Sequence, residues 1–309
     1  MILATKAALG GSSLSYRWVA VGNTGALATS DSATASSWTS RTSSFGTTKI
    51  NYVASNGFDL YVAVGDAGKL ATSPDGITWT QRTSTFGTNT IRGVVYGGGY
   101  WVAVGGTSTP VMATSTDGIT WTANTGTGFT GTYIQKVGYG AGLFLASGGQ
   151  TRTASNPTGA WTDRTTGNTT DFQHRWTPSK NIWTMGIMAI GASNQINSSP
   201  DGITWTLRTL PNSPSTVTAR VTSNDSVIVV AYQTAAASCD IASSTDGIGW
   251  TDRTPAITAT VVAGSSVDSS GFMVFANGTN VQTSTDGTTW TSRTGPAFTP
   301  LALCHSSNA

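Results

Sequence analysis

The stretch ATSPDGITWTQRT at 71–83 recurs along the chain as ATSTDGITWTANT at 113–125, SSPDGITWTLRT at 198–209, SSTDGIGWTDRT at 243–254 and TSTDGTTWTSRT at 283–294. Two looser copies end on Trp38 and Trp161, so the tryptophans Trp38, Trp79, Trp121, Trp161, Trp205, Trp250 and Trp290 mark repeats 40 to 45 residues long. Outward from the first copy, the unit divides into INYVASNG (50–57), LYVAVGDAG (60–68), KLATSPDG (69–76) and TWTQRT (78–83). Asp-Gly between two alternating runs is a hairpin signal, because glycine accepts the positive φ that the turn demands. Each unit therefore reads as four antiparallel strands.

The second run of the unit is apolar nearly throughout. It returns as Trp18-Val-Ala-Val, Tyr61-Val-Ala-Val, Trp101-Val-Ala-Val, Phe144-Leu-Ala-Ser, Ile187-Met-Ala-Ile, Ile228-Val-Val-Ala and Phe272-Met-Val-Phe. A strand apolar on both sides belongs to a sheet covered on both faces. Seven such sheets, each burying its faces on its neighbours, predict an all-β, seven-bladed β-propeller of four-stranded blades, a single domain over residues 1–309. Composition agrees. All 14 acidic residues are Asp, only five residues are Lys, and 37 are Gly, a poor mixture for helices. Eight inner-strand candidates compete for seven places, AALGGSS (7–13) and LALCHSSN (301–308) standing at the two ends. Pairing the chain termini protects two sheet edges, so the C-terminal segment is expected to complete blade one, leaving residues 1–12 as an arm.

The box Ser73-Pro74-Asp75-Gly76-Ile77-Thr78-Trp79 resembles the Asp-box repeat of sialidase-type (BNR-like) propellers, one residue shorter than that family's Ser-x-Asp-x-Gly-x-Thr-Trp. With the preceding VAVG strand it is similar to the DG-x-TW propellers of phage tail and bacterial surface proteins. Two copies depart from it: Ser30 to Trp38 has a longer turn, and Ser155 to Trp161 lacks the Asp. The resemblance implies an active site of an arginine triad, an acidic acid/base and a tyrosine activated by Glu. This chain contains no Glu, and its two histidines, His174 and His305, lie far apart without a nucleophile or phosphate motif. No enzyme activity, cofactor or metal site is expected. Cys239 and Cys304 have no metal-ligand spacing and read as small core residues.

A net charge of +2 argues against nucleic acid as partner, and no run is long and apolar enough for a membrane span. The opening MILATKAALGG holds one Lys and no apolar stretch of signal-peptide length, so synthesis in a cytosol is expected. Candidate ligand-binding residues fall in two groups. Arg92, Lys136, Arg175 and Arg220 sit on inner strands, with His174 and Trp176 beside Arg175, and would present cations to a narrow channel. Asn23, Asp66, Arg152, Asn194, Gln233 and Asn280 fall in the connections between second and third strands, whose polar groups suit sugar hydroxyls. The channel mouth is expected on the face opposite the box turns. A phenylalanine recurring before the inner strands (Phe45, Phe86, Phe129, Phe298) reads as packing between blades, and the arginine three positions after most box tryptophans as structural. The combined expectation is a non-enzymatic virion protein, as on a phage tail, that binds a host-surface glycan or other virion proteins, as a homo-oligomer or singly. A purely architectural virion component and a bacterial surface or secreted carbohydrate-binding propeller remain the alternatives.

Overall fold

A computed structural model describes residues 17–131, 133–166, 171–187, 195–212, 219–235, 238–253, 257–258 and 262–306. Seven antiparallel sheets stand in a ring. Blade two shows the plan: inner strand Ile50–Ser55, second strand Tyr61–Gly65, third strand Leu70–Ser73 and outer strand Thr80–Arg82. The other inner strands are Ile91–Gly97, Lys136–Gly140, Asp171–Thr177, Arg220–Ser223, Val262–Val267 and, for blade one, Pro300–His305. Each inner strand touches the next around the axis, and Pro300–His305 lies between those of blades seven and two.

The ring closes by pairing of the two ends of the chain. Pro300–His305 runs antiparallel to Trp18–Gly22, placing His305 opposite Trp18 and Leu303 opposite Ala20. Ser306 N–H donates to the Arg17 carbonyl at 3.2 Å, and the Ser55 hydroxyl of blade two donates to the Ser306 carbonyl at 3.3 Å. The Arg17 guanidinium pairs with Asp31 and donates to the Asp75 carbonyl, tying blade one to the box turn of blade two. The 7–13 segment and the 1–12 arm lie outside the described residues.

Second strands are the most buried parts of the molecule. Trp18–Val21 and Tyr61–Val64 have no exposed surface, because inter-blade clusters form on both sides of them. One such cluster joins Val19, Val21, Phe45, Tyr61, Ala63, Trp79 and Cys304 across blades one and two. Phe45 and Phe86 are buried in these seams and Phe129 and Phe298 partly so; both cysteines are buried thiols outside any disulfide. Blade five departs from the sequence reading. Its second strand is Ile182–Ile187, with Trp183 opposite Trp176, and does not begin at Ile187. A tight turn over Pro178–Lys180, closed by Asn181 at φ 50°, brings the chain back earlier than the repeat spacing suggested; Asn tolerates this left-handed geometry.

The box is a self-bonded turn. Asp75 Oδ1 accepts from the backbone N–H groups of Ile77 and Thr78 at 2.8 Å and from the Ser73 hydroxyl at 2.9 Å. Asp117, Asp201, Asp246 and Asp286 repeat the pattern. The glycine that follows has φ near +70° (Gly76 at 72°); Gly76 lies against Val19, Gly118 against Leu60, Gly247 against Ile182 and Gly287 against Val227 of the preceding blade, while Gly202 lies against Trp183 of its own. In three copies the box tryptophan bonds back through Nε1 to that glycine's carbonyl, Trp79 to Gly76 and Trp121 to Gly118 at 3.0 Å and Trp205 to Gly202 at 3.2 Å, whereas Nε1 of Trp250 and Trp290 makes no such bond. The two divergent copies keep this last bond in altered form, Trp38 to the Ala35 carbonyl and Trp161 to that of Pro157. The recurrent arginine is structural too. Its Nε donates to a hydroxyl on the adjacent third strand, as Arg82 to Thr72 at 2.9 Å and Arg253 to Ser243 at 2.8 Å.

These bonds set two expected outcomes. Trp79→Ala removes a large buried ring and is expected to cost roughly 3–5 kcal/mol in denaturant unfolding, whereas Trp205→Ala, at a ring only partly covered, costs less. An unchanged midpoint for Trp79→Ala would contradict the anchoring role. The second outcome concerns acid. Turn amides hold the box carboxyls below their ordinary range, Asp117 at about 2 and Asp75, Asp201, Asp246 and Asp286 also lowered, with burial opposing in each. Lowered folded values mean stabilisation that is complete above the unfolded carboxyl value, about 3.9, and lost as pH falls toward about 2. Thermal melting across this acid range should show the loss. A triple Asp→Asn variant at 117, 201 and 286, which keeps the accepting oxygen, should flatten it.

Candidate functional site: a funnel in the central channel

Inner strands run from the face bearing the second-to-third-strand connections to the face bearing the box turns. Arg92, Lys136 and Arg220 stand at the first or second residue of their strands, near the connection face. Arg175 is fifth of seven and lies toward the box face. A β-bulge between Ile91 and Gly93 falls at Arg92; bulges re-aim the residue that they insert. The guanidinium of Arg92 rests 4.2 Å from the centre of the Tyr133 ring.

Two contacts reach past a neighbouring blade into the channel. The Lys136 ammonium of blade four lies 4.1 Å from the centre of the Tyr52 ring of blade two, and donates to the Arg92 carbonyl at 3.2 Å. Gln173 Nε2 of blade five donates to Ser265 Oγ of blade seven at 3.2 Å. Together they reduce the channel to a neck holding a void of about 10 Å³ beside Tyr52, Lys136, Gln173, Arg220 and Ser265. Beyond the neck the channel widens into a funnel of about 390 Å³. The funnel is walled by the later parts of the inner strands and by turns such as Asn224–Asp225 and Asp268–Ser269, so it opens on the box-turn face. This corrects the sequence expectation, which placed the mouth on the other face. Long side chains crowd the connection end, while at the box end small residues and rings laid back against the wall leave the axis clear.

The wall has two halves. Tyr52, Tyr96, Tyr139 and Trp176 supply an aromatic arc from blades two to five, and Thr222, Ser223, Asn224, Ser265, Ser266 and Asp268 a polar arc from blades six and seven. The rings lie back because glycines receive them. A Cβ at Gly97 would strike the Tyr139 ring, and one at Gly140 the Trp176 indole. Trp176 also packs on Trp183 at 5.6 Å between ring centres, and Tyr139 on Phe144 at 4.7 Å. Arg175 stands between the arcs, its Nε donating to Ser223 Oγ at 3.2 Å and Nη2 to the Ser223 carbonyl at 3.5 Å. These bonds occupy only part of the five-donor guanidinium fork. The three tyrosines were missed in the sequence reading, although Tyr96 and Tyr139 each precede a glycine at the end of an inner strand, a repeat signal of its own.

Electrostatics follow from burial among like charges. Burial, then Arg220, Arg92 and Lys49, pull Lys136 down to about 7. Arg175 and Arg220 are lowered by burial, with Tyr52 opposing, and as guanidinium groups they stay charged at neutral pH. Burial raises the Tyr52 phenol. His174 is pulled down to about 3 by burial and then by Lys136, and its Nε2 shares a 2.6 Å hydrogen bond with the buried Ser147 hydroxyl. It is a neutral wall residue. Asp268 Oδ1 accepts from Ser270 N–H, Ser270 Oγ and Phe272 N–H in its own turn. The funnel lining therefore combines the Arg175 guanidinium, the carboxylates of Asp225 and Asp268, hydrogen-bonding groups and aromatic faces, with Lys136 and Arg220 at the neck behind it.

The second predicted group is not assembled with the first. Asn23 and Asp66 occupy tight turns on the connection face, Asp66 accepting from Asn51 Nδ2 at 2.8 Å. Arg152 lies within the third strand of blade four, not in a loop; it donates to the Trp161 carbonyl at 3.1 Å and stands over Phe129. Gln233 also proves to be a strand residue, opposite Cys239 in a longer hairpin than blade six was expected to have. Asn280 begins the third strand of blade seven and is exposed. Asn194 lies outside the described residues.

No protein-family model and no curated protein sequence matches the chain. Similar solved structures share the propeller architecture. YCF48 bound to D1 peptide aligns with a TM-score of 0.55 at 14% identity, over 89% of this chain and 85% of that one. A protein from Lactobacillus plantarum aligns with a TM-score of 0.63 at 14% identity, over 94% and 99%. Catalytically inactive virginiamycin B lyase from Staphylococcus aureus with quinupristin aligns with a TM-score of 0.65 at 10% identity, over 80% and 84%. A lyase stands among these neighbours, so the fold by itself does not decide for or against catalysis. It is a fold that suits binding or attachment, and the chain is a seven-bladed β-propeller.

Proposed function

We propose that this protein is a non-enzymatic binding propeller that seats the acidic group of a glycan in the funnel on its box-turn face. One observation carries the reading: Arg175 faces a space of about 390 Å³ between an aromatic and a polar wall, with Lys136 and Arg220 behind it. A carboxylated sugar has the matching parts. Its C–H face stacks on rings, its hydroxyls bond to serine and asparagine, and its carboxylate takes a charge-assisted bond from the guanidinium. A funnel of this volume is within the range of small-ligand sites. Two of the neighbours are described with a bound molecule, a peptide and quinupristin, which supports a binding role for the architecture and does not bear on sugars. The repeat's resemblance to phage tail propellers leads us to set this binding on a virus particle, in attachment to the host surface.

Titration of the full chain against neutral and sialylated or uronic-acid oligosaccharides tests the reading. Acidic members should bind and neutral ones should not. Arg175→Met keeps much of the volume and should weaken binding at least tenfold, as expected for loss of a charge-assisted bond worth about 1.5–3 kcal/mol, while Asp75→Asn, at a box turn, should leave affinity intact. Equal affinity for neutral sugars, or loss only in the box variant, would overturn the funnel as the site. Absence of binding to every saccharide would favour the architectural alternative.

A further inference from the structure

Blade six breaks the repeat at three places that lie on one face. In its second strand, Ile228–Ala235, Tyr232 stands where blades one to three carry Gly22, Gly65 and Gly105. Opposite it on the third strand, Ser238–Ser244, Asp240 occupies a position that holds no acid in any other blade. Asp252, two residues after the box tryptophan, pairs with Ala242. Blade four also has an acid there, Asp163, but it faces Arg152, which answers the charge at 3.3 Å; blade six has Ala242 in the arginine's place. Cross-strand partners share a face, as do residues two apart on a strand, so Tyr232, Asp240 and Asp252 stand together on the side that packs on blade five. We propose that Asp240, Asp252 and Asn212 form a calcium site at this seam, completed by water held on the buried Tyr232 hydroxyl.

Asn212 reaches this face from the connection that follows the outer strand of blade five, Thr206–Thr209. Its Nδ2 donates to Asp240 Oδ2 at 2.9 Å and to Asp252 Oδ2 at 3.0 Å, so two carboxylate oxygens converge on one point. Two anions held that close repel each other, and a cation at their common point turns the repulsion into attraction. Turned over about its last torsion, the Asn212 amide presents its oxygen instead of its nitrogen. The phenol is a second, independent indication. Tyr232 has no exposed surface, and its hydroxyl is buried without a hydrogen-bond partner, which costs free energy unless a water or an ion meets it. Burial raises the phenol, and Asp240 and, less strongly, Asp252 raise it further, with the nearby Asn212 N–H opposing. The group is therefore a neutral O–H beside both carboxylates, and a water on the ion gives it an acceptor. Every donor in the set is oxygen, which suits a hard cation and not zinc or copper. Asp252 is exposed, so water reaches the site and fills the rest of the roughly six to eight places that calcium uses. The ion ties the connection between blades five and six to the third and outer strands of blade six, apart from the funnel.

The test is independent of the funnel and of its ligand. After divalent ions are removed with a chelator, titration of the full chain with calcium chloride should show one site. The melting temperature should rise with calcium concentration, since an ion that binds only the folded chain stabilises it. Asp240→Asn and Asp252→Asn should each weaken calcium binding about tenfold or more, and Tyr232→Phe by a comparable factor, as for residues that hold a metal's own ligands. Asp163→Asn, at the carboxylate that Arg152 engages in blade four, should leave calcium binding unchanged. Crystals of the wild type soaked in terbium chloride, a heavy mimic of calcium, should show an anomalous peak between Asp240 and Asp252. Absence of calcium heat together with an unchanged melting temperature would overturn the proposal. So would terbium at other carboxylates with none between these two, or calcium binding that survives Asp240→Asn. Should that variant fail to fold, the wild-type titration and diffraction results still decide.

Discussion

A four-stranded blade with a fully apolar second strand cannot stand alone in water, and this constraint governs the molecule. Both faces of Trp18–Val21 or Tyr61–Val64 need cover, and only adjacent blades supply it. Each box turn acts at this seam. In four of the five Asp-Gly boxes the glycine, free of a Cβ, rests on the preceding blade, and the aspartate binds the turn's own amides so that the approach has one geometry. The repeated residues are therefore one device for mating sheets. The same need makes the last inner strand indispensable, since without Pro300–His305 blade one would lack its axial edge and the seam to blade seven would open.

Mating sheets around an axis brings seven inner strands together, and their first residues meet where space is least. Lys136, Arg220 and Gln173 meet there and narrow the passage. Toward the box-turn face the channel opens into the wide funnel. Aromatic rings, received by glycines of the neighbouring blade, line one side of it, and hydroxyl and amide groups line the other. The rings of this lining also back the second strands, Tyr96 on Trp101, Tyr139 on Phe144 and Trp176 on Trp183, so one set of side chains serves both the core and the funnel wall. The contrast with the box residues is sharp: those are spent on internal bonds, whereas Arg175 retains donors toward the space.

Much of this was legible in the residues alone. Seven tryptophans at even spacing, Asp-Gly turns and apolar second strands determine a seven-bladed ring, because each feature has a local physical meaning and recurs. Edge protection was enough to choose the C-terminal closing strand. The structural duty of the box aspartates and of the recurrent arginines was visible as well, since a site seldom needs one copy per blade. The placement of Arg92, Lys136, Arg175 and Arg220 on inner strands followed from the same alignment.

What tertiary structure alone decided concerns directions and distances across the axis. Which face the funnel opens on depends on how far side chains from blades two, four, five and seven reach toward one another, and no spacing along the chain encodes that reach. The aromatic arc exists because Tyr96, Tyr139 and Trp176, far apart along the chain, stand near the ends of inner strands in three successive blades. Arg152 and Gln233 fall in strands and not in loops for a similar reason: hairpin length in blades four and six was set by pairing with neighbouring strands, which local turn chemistry does not reveal. Sequence determined the repeating frame because its bonds lie within a few residues of one another; the site was decided by residues that meet only when the ring has closed.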